Sequence, residues 1–246
     1  MNDDSNRRSR WVELIGSINT YLSQDLFGGP KAITMAWVIN LHKVLTLPLV
    51  ALLMLTYQNF STVAWAYLAL HGTYGICWLL KHLAFRDAKW EVRTTFAAAV
   101  FTFLLLATYW VAPFLLVSQI VNPEHTVPAD WFIAVCISLH TLGLVIMTTS
   151  DCQKHFSLQY QRKLIVDGMF KYVRHPNYLG EMMVYSSYAL LVQHWIPWLV
   201  LAYWWTMVFL VNMRRIEAAL SRYPEWQEYK ARTGLLLPRL SILFTR

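Results

Sequence analysis

The chain has 246 residues, of which 57% are hydrophobic and only 14% charged, against about 25% charged in an ordinary soluble domain. That composition, with 12 Trp and 13 Tyr suited to headgroup depth, excludes a soluble globule and fits a protein buried in a bilayer. The net charge of +7 falls between apolar runs rather than along one face, so it excludes nucleic acid and suits membrane lipids and a phosphate-bearing ligand.

Residues 1–31 read as a cytosolic lead-in, with Trp11, Leu14, Ile15, Ile18, Tyr21 and Leu22 at the spacing of a short interfacial helix. Phe27-Gly28-Gly29-Pro30 breaks it. Four apolar spans are predicted next, near 32–57, 61–80, 95–120 and 131–149, with Pro113 expected to kink the third. The polar stretch 150–176 reads as the longest loop between spans. Residues 177–213 are too long for one crossing, and Gln193-His194-Trp195-Ile196-Pro197 offers a turn that divides them into a helical hairpin. From Arg214 onward the chain is charged and amphipathic, a tail expected to fold back onto the membrane face.

Lys and Arg fix the expected orientation. Segments 1–31, 81–93, 150–176 and 214–246 hold 20 of the 21, and the turns at 58–60, 121–130 and 193–197 hold none. The positive-inside rule then gives about six transmembrane helices with both termini cytoplasmic. The fold class is an all-α polytopic membrane helical bundle, with an N-terminal segment 1–31, a four-helix region 32–149 and a cofactor-binding region 150–246. The membrane would be the endoplasmic reticulum or a bacterial inner membrane.

Intramembrane His42, Lys43, His71 and His140 read as satisfied inter-helix hydrogen-bonding groups rather than catalytic ones. Cys77, Cys136 and Cys152 show no metal or disulfide spacing. The chemistry is expected in the last hundred residues. Pro176 suits the first turn of a helix, which puts Arg174 and His175 at the positive end, where a phosphate or carboxylate is favoured. Gly180 permits close approach of a backbone or a ligand. Glu181, four residues after Asn177, heads into the bilayer and should face an interior cavity.

The stretch Arg174-His175-Pro176-Asn177-Tyr178-Leu179-Gly180-Glu181 follows a Gly168-x-Phe170-x-Tyr172 approach. The tail carries Tyr229-Lys230-x-Arg232-Thr233 and then Leu237-Pro238. Together these resemble a membrane superfamily with two chemistries over about residues 148–240. One branch is steroid 5α-reductase-like and sterol reductase-like and takes hydride from NADPH. The other comprises isoprenylcysteine and phospholipid methyltransferases, which use S-adenosylmethionine. Asp151-Cys152-Gln153-Lys154-x-x-Phe156 is similar to the stretch preceding the motif in the reductase branch, and only one glutamate, Glu217, follows Arg215-Ile216. The nearest likeness is to a reductase-like group of the DUF1295 type.

The resemblance implies a membrane-embedded oxidoreductase of lipid metabolism. It would reduce a C=C bond in a steroid-, sterol- or isoprenoid-like substrate arriving from the bilayer. Lys154, Arg174 and Arg215 would hold the NADPH phosphates, and Asn177, Glu181 and Glu217 its amide and ribose groups. Asp151, His175, Tyr178 and Tyr229 would complete the cofactor site. Tyr178 is the expected proton donor, with Tyr185 and His140 in reserve, and Glu181 is the second expected catalytic group. The alternatives are an S-adenosylmethionine-dependent methyltransferase using the same pocket and a lipid-binding membrane protein without catalysis.

Overall fold

The computed structural model describes residues 2–121 and 128–239, with side chains from Arg10 onward. The turn expected over 121–130 therefore falls largely outside the described residues. Among the described residues the fold is all-α, apart from a pair of two-residue strands, and five helical segments are long and apolar enough to cross a membrane: Met35–Tyr57, Thr62–Ala84, Phe96–Ser118, Asp130–Tyr160 and Ile196–Leu220. A further helix, Pro176–Val192, has 17 residues, about 26 Å at 1.5 Å per residue, and stands at the short limit for a span. Trp37, Leu83, Phe96, Leu104 and Trp131 are all exposed, an arrangement that lipid solvates and water penalises.

The backbone divides into two compact units that are discontinuous in sequence. One comprises Ser17–His140 and Tyr185–Tyr203. Within it, β1 (Ile33–Thr34) pairs antiparallel with β2 (Arg93–Thr94) at the foot of α2 (Met35–Tyr57) and α4 (Phe96–Ala107). Thr94 Oγ1 and Thr95 Oγ1 donate to the carbonyls of Ser23 and Leu26 and tie the chain before α2 to the start of α4. Against α2 lies α3 (Thr62–Ala84). A Cβ at Gly75 would come 3.2 Å from the Lys43 carbonyl oxygen, so glycine permits this close approach.

The third span leaves regular α-helical geometry before the proline rather than at it. A 3-10 turn over Thr108–Trp110 separates α4 from α5 (Val111–Ser118). Pro113 offers no N–H to the Tyr109 carbonyl and its ring crowds that oxygen, so the regular ladder fails one turn upstream. At the far end Asn59 donates to the Val117 carbonyl at 3.0 Å and closes the last turn of α5.

The second unit comprises Met1–Gly16, Thr141–Val184 and Trp204–Arg246. One helix, α1 (Asn2–Thr20), opens the chain. Asp130–Tyr160, α6, is 31 residues long, which corrects the expectation of a loop beginning at 150. Polarity marks where a helix leaves the bilayer and does not end it. No Gly or Pro occurs between 150 and 160, so the backbone ladder continues for about three more turns. The connection shrinks to 161–175 and includes Gly168 at φ 54°. Next come α7 (Pro176–Val192) and α8 (Ile196–Tyr203), divided where the sequence turns, at Gln193 with φ 52°. A π-helical stretch, Trp204–Leu210, leads into α9 (Val211–Leu220), and α10 (Trp226–Arg232) follows the turn containing Pro224.

Candidate functional site

In the second unit, α6, the connection and the tail are fastened together by short polar contacts. Gln153 accepts from the Met169 N–H at 2.9 Å and donates to the Asp167 carbonyl at 3.0 Å. A Cβ at Gly168 would meet the same amide at 2.6 Å. Beyond this turn, the chain at 172–175 pairs with the tail: Gly234 N–H donates to Tyr172 O, Arg174 N–H to Gly234 O and His175 N–H to Leu235 O, at 3.0–3.1 Å. The tail thus lies as a strap beside the N-terminus of α7. Tyr229 hydroxyl donates to the Phe170 carbonyl at 2.8 Å, over a core of Leu164, Trp226 and Tyr229.

Arg174 is buried at the centre of this arrangement. Its Nε donates to Glu217 Oε1 at 2.6 Å, and its Nη1 donates to the carbonyl and hydroxyl oxygens of Thr233 and, at 3.4 Å, to Lys230 O. Arg214 Nη1 approaches the other Glu217 oxygen at 3.2 Å. Two guanidinium groups therefore share one carboxylate, and positive charge remains in excess. Burial, helped by Arg174, Lys154 and Arg214 and opposed by Glu217, lowers the His175 pKa from 6.5 to about 4. The imidazole is neutral at pH 7. Its Nε2 is buried and has no hydrogen-bond partner among the described residues, although buried polar atoms are otherwise almost always satisfied. Burial also raises the Tyr229 phenol to about 12, with Arg174 and Arg232 acting against it.

Tyr178 is buried with Phe209 and Met213, edge-on to Phe209 at 5.1 Å and to the His175 ring at 5.9 Å. Two residues further along α7, Gly180 lies against α6. A Cβ there would strike the Gly143 carbonyl, and one at Gly143 would come 2.6 Å from the Gly180 carbonyl. Gly180 serves backbone-to-backbone approach here.

The first unit holds a different polar cluster, inside its membrane spans. Lys43 Nζ donates to the Tyr185 hydroxyl at 3.0 Å and lies 4.2 Å from the centroid of the Tyr74 ring. His140 Nε2 is 3.1 Å from the Tyr188 hydroxyl, and His71 Nδ1 is 3.2 Å from that of Tyr67. His71 stacks on Tyr188 at 4.4 Å. His140 and His71 thus each have a ring nitrogen against a tyrosine hydroxyl, while His71 Nε2 has no hydrogen-bond partner among the described residues. His42 is stacked on Trp110 at 4.9 Å.

Residues 24–233 match the family described as "Protein of unknown function (DUF1295)". The chain belongs to the DUF1295 family. It is also 33% identical over 84 residues to an uncharacterized protein of Schizosaccharomyces pombe, a match covering 32% of this chain and 29% of that relative. The family match takes in every residue of the Arg174 cluster, from Asp151 to Thr233.

In this DUF1295 protein the site residues expected from sequence divide into three groups. Arg174, His175, Glu217 and Tyr229 come together through the contacts above, and Lys154 acts on His175 electrostatically. Asp151, Asn177 and Glu181 are half-buried, Asp151 on α6 and the other two on α7. Arg215 donates to the Gly16 carbonyl at 3.3 Å, while its neighbour Arg214 takes the place beside Glu217. Sequence reasoning missed Arg214 and Thr233. The i,i+3 spacing of Arg214 and Glu217 could have shown the first. Thr233 offered no such signal, because its partner Arg174 is 59 residues away.

Proposed function

We propose that this DUF1295 protein is a membrane-embedded, NADPH-dependent reductase of a C=C bond in a lipophilic, steroid-, sterol- or isoprenoid-like substrate drawn from the bilayer. The observation that carries the reading is the neutral, buried His175 with its unsatisfied Nε2, set in a cluster of excess positive charge that includes Lys154 of the reductase-like Gln153-Lys154 segment. Such a site suits an anionic ligand that also brings hydrogen-bonding groups. When bound, NADPH would supply the hydride.

Lys154 and Arg214 are the phosphate contacts, with Arg215 adding charge alongside. Arg174, fixed by Glu217 and Thr233, acts as a positioned charge that holds the strap in place. His175 Nε2 meets a polar group of the ligand, and Asn177 and Glu181 take its amide and ribose groups. The reduction also requires a proton. Tyr178, buried with Phe209 and Met213 and edge-on to the His175 ring, is the group that supplies it. Both termini and residues 150–176 face the cytosol in this reading, in the endoplasmic reticulum or a bacterial inner membrane.

The test is NADPH consumption by the purified protein in lipid nanodiscs carrying flat, lipophilic enones. Turnover is expected with the wild-type chain. It should fall at least tenfold in Tyr178→Phe. Methyl transfer from S-adenosylmethionine with no NADPH consumption would overturn the reductase in favour of the methyltransferase.

A further inference from the structure

A cleft opens in the first unit, where α2 begins and α3 ends. Asn40 on α2, Trp78, Lys81 and His82 on α3, and Asp87 and Trp90 on the connection line it. Lys81 is 9% exposed, and its Nζ sits 4.6 Å from the Trp78 ring centroid. The Trp78 indole N–H donates to Asn40 Oδ1 at 3.1 Å. An indole can only donate, so this contact fixes the amide and leaves its NH2 as a donor. Asp87 Oδ1 accepts from the Lys89 N–H at 3.0 Å, and its carboxylate brings negative charge to the same cleft as Lys81.

Three features narrow the occupant. The cleft sits at the ends of two spans, at headgroup depth, walled by indoles of the kind that favour that layer. Its rim continues into lipid-facing side chains, with Leu80 58% and Leu83 80% exposed. Its lining carries one cation and one anion, which a simple phosphate would not match and a head with both charges does.

We propose that this cleft binds the headgroup of a zwitterionic phospholipid of the phosphatidylethanolamine type. The phosphate meets Lys81, His82 and the Asn40 amide, the ammonium meets Asp87 beside Trp90, and the acyl chains run along Leu80 and Leu83.

The experiment uses the full chain, purified in detergent and stripped of lipid. Native mass spectrometry and thermal melting are followed with phosphatidylethanolamine, phosphatidylglycerol, soluble phosphoethanolamine or inorganic phosphate added. The lipid with the ammonium head is expected to be retained one to one and to give the largest rise in melting temperature. Lys81→Gln should weaken retention of both lipids at least tenfold. Asp87→Asn keeps the acceptor for the Lys89 N–H, so the turn survives; it should abolish the preference for phosphatidylethanolamine while leaving phosphatidylglycerol bound. His82→Gln gives a second reading of the phosphate half should Lys81→Gln fail to fold. Equal retention of the two lipids by the wild type, or unchanged retention in both Lys81→Gln and His82→Gln, would overturn the proposal. So would equal protection by phosphoethanolamine or phosphate, which would make the ligand a soluble anion.

Discussion

Arg174 and Glu217 lie 43 residues apart in sequence and hold each other at 2.6 Å, both buried. The pairing changes what a substitution does. Arg174→Ala would leave Glu217 buried with only the half-exposed Arg214 and would release Thr233. A loss of about 3 kcal/mol is expected, the lower end for breaking a buried pair, read as a lower unfolding midpoint in detergent. An unchanged midpoint would mean that Arg174 does not hold the strap.

His175 makes a separate prediction through pH. Its folded pKa, about 4, lies below the ordinary 6.5, so the fold favours the neutral ring. The associated stability is fully present above pH 6.5 and is lost as pH falls toward 4. The full span is about 3 kcal/mol, at 1.36 kcal/mol per unit. His175→Gln should flatten the acid side of the stability profile between those values. The same slope in the variant as in the wild type would assign the effect to another group.

At the scale of elements, hydropathy locates apolar runs well and helix ends poorly. The hairpin over α7 and α8 and the tail after Pro224 were legible because Gln193–Pro197 and Pro224 punctuate the chain. The 31-residue α6 was not, since the residues after 149 change from apolar to polar without a breaker. The break in α-helical geometry before Pro113 was legible in kind but not in place, because proline disturbs the turn behind it. Gly180 was legible as a point of close approach, and the structure names Gly143 and Met147 as what approaches. Gly180→Ala should therefore force α6 and α7 apart at about 1–3 kcal/mol, the usual range for overpacking. Equal melting temperatures for wild type and Gly180→Ala would mean that the contact has slack.

For the whole molecule, charge distribution and apolar runs made the membrane fold readable before any coordinates, because the bilayer restricts a spanning chain to few solutions. The division into two discontinuous units was not readable, since it cuts within α6 and α7, where no composition changes. The orientation makes its own prediction. On a cysteine-free background, a single cysteine at position 159 should resist an impermeant thiol reagent applied outside intact cells and react once the membrane is opened. Reaction from outside would place the Arg174 cluster away from cytosolic cofactor.

If the Arg174 cluster holds a phosphate-rich dinucleotide, equilibrium titration of the purified chain with NADPH and, separately, with S-adenosylmethionine will tell the two cofactors apart. Tighter binding of NADPH is expected, with an affinity that weakens as salt screens the Lys154 and Arg214 contacts and at least a tenfold loss in His175→Ala. Saturable binding of S-adenosylmethionine with no response to NADPH would contradict that reading.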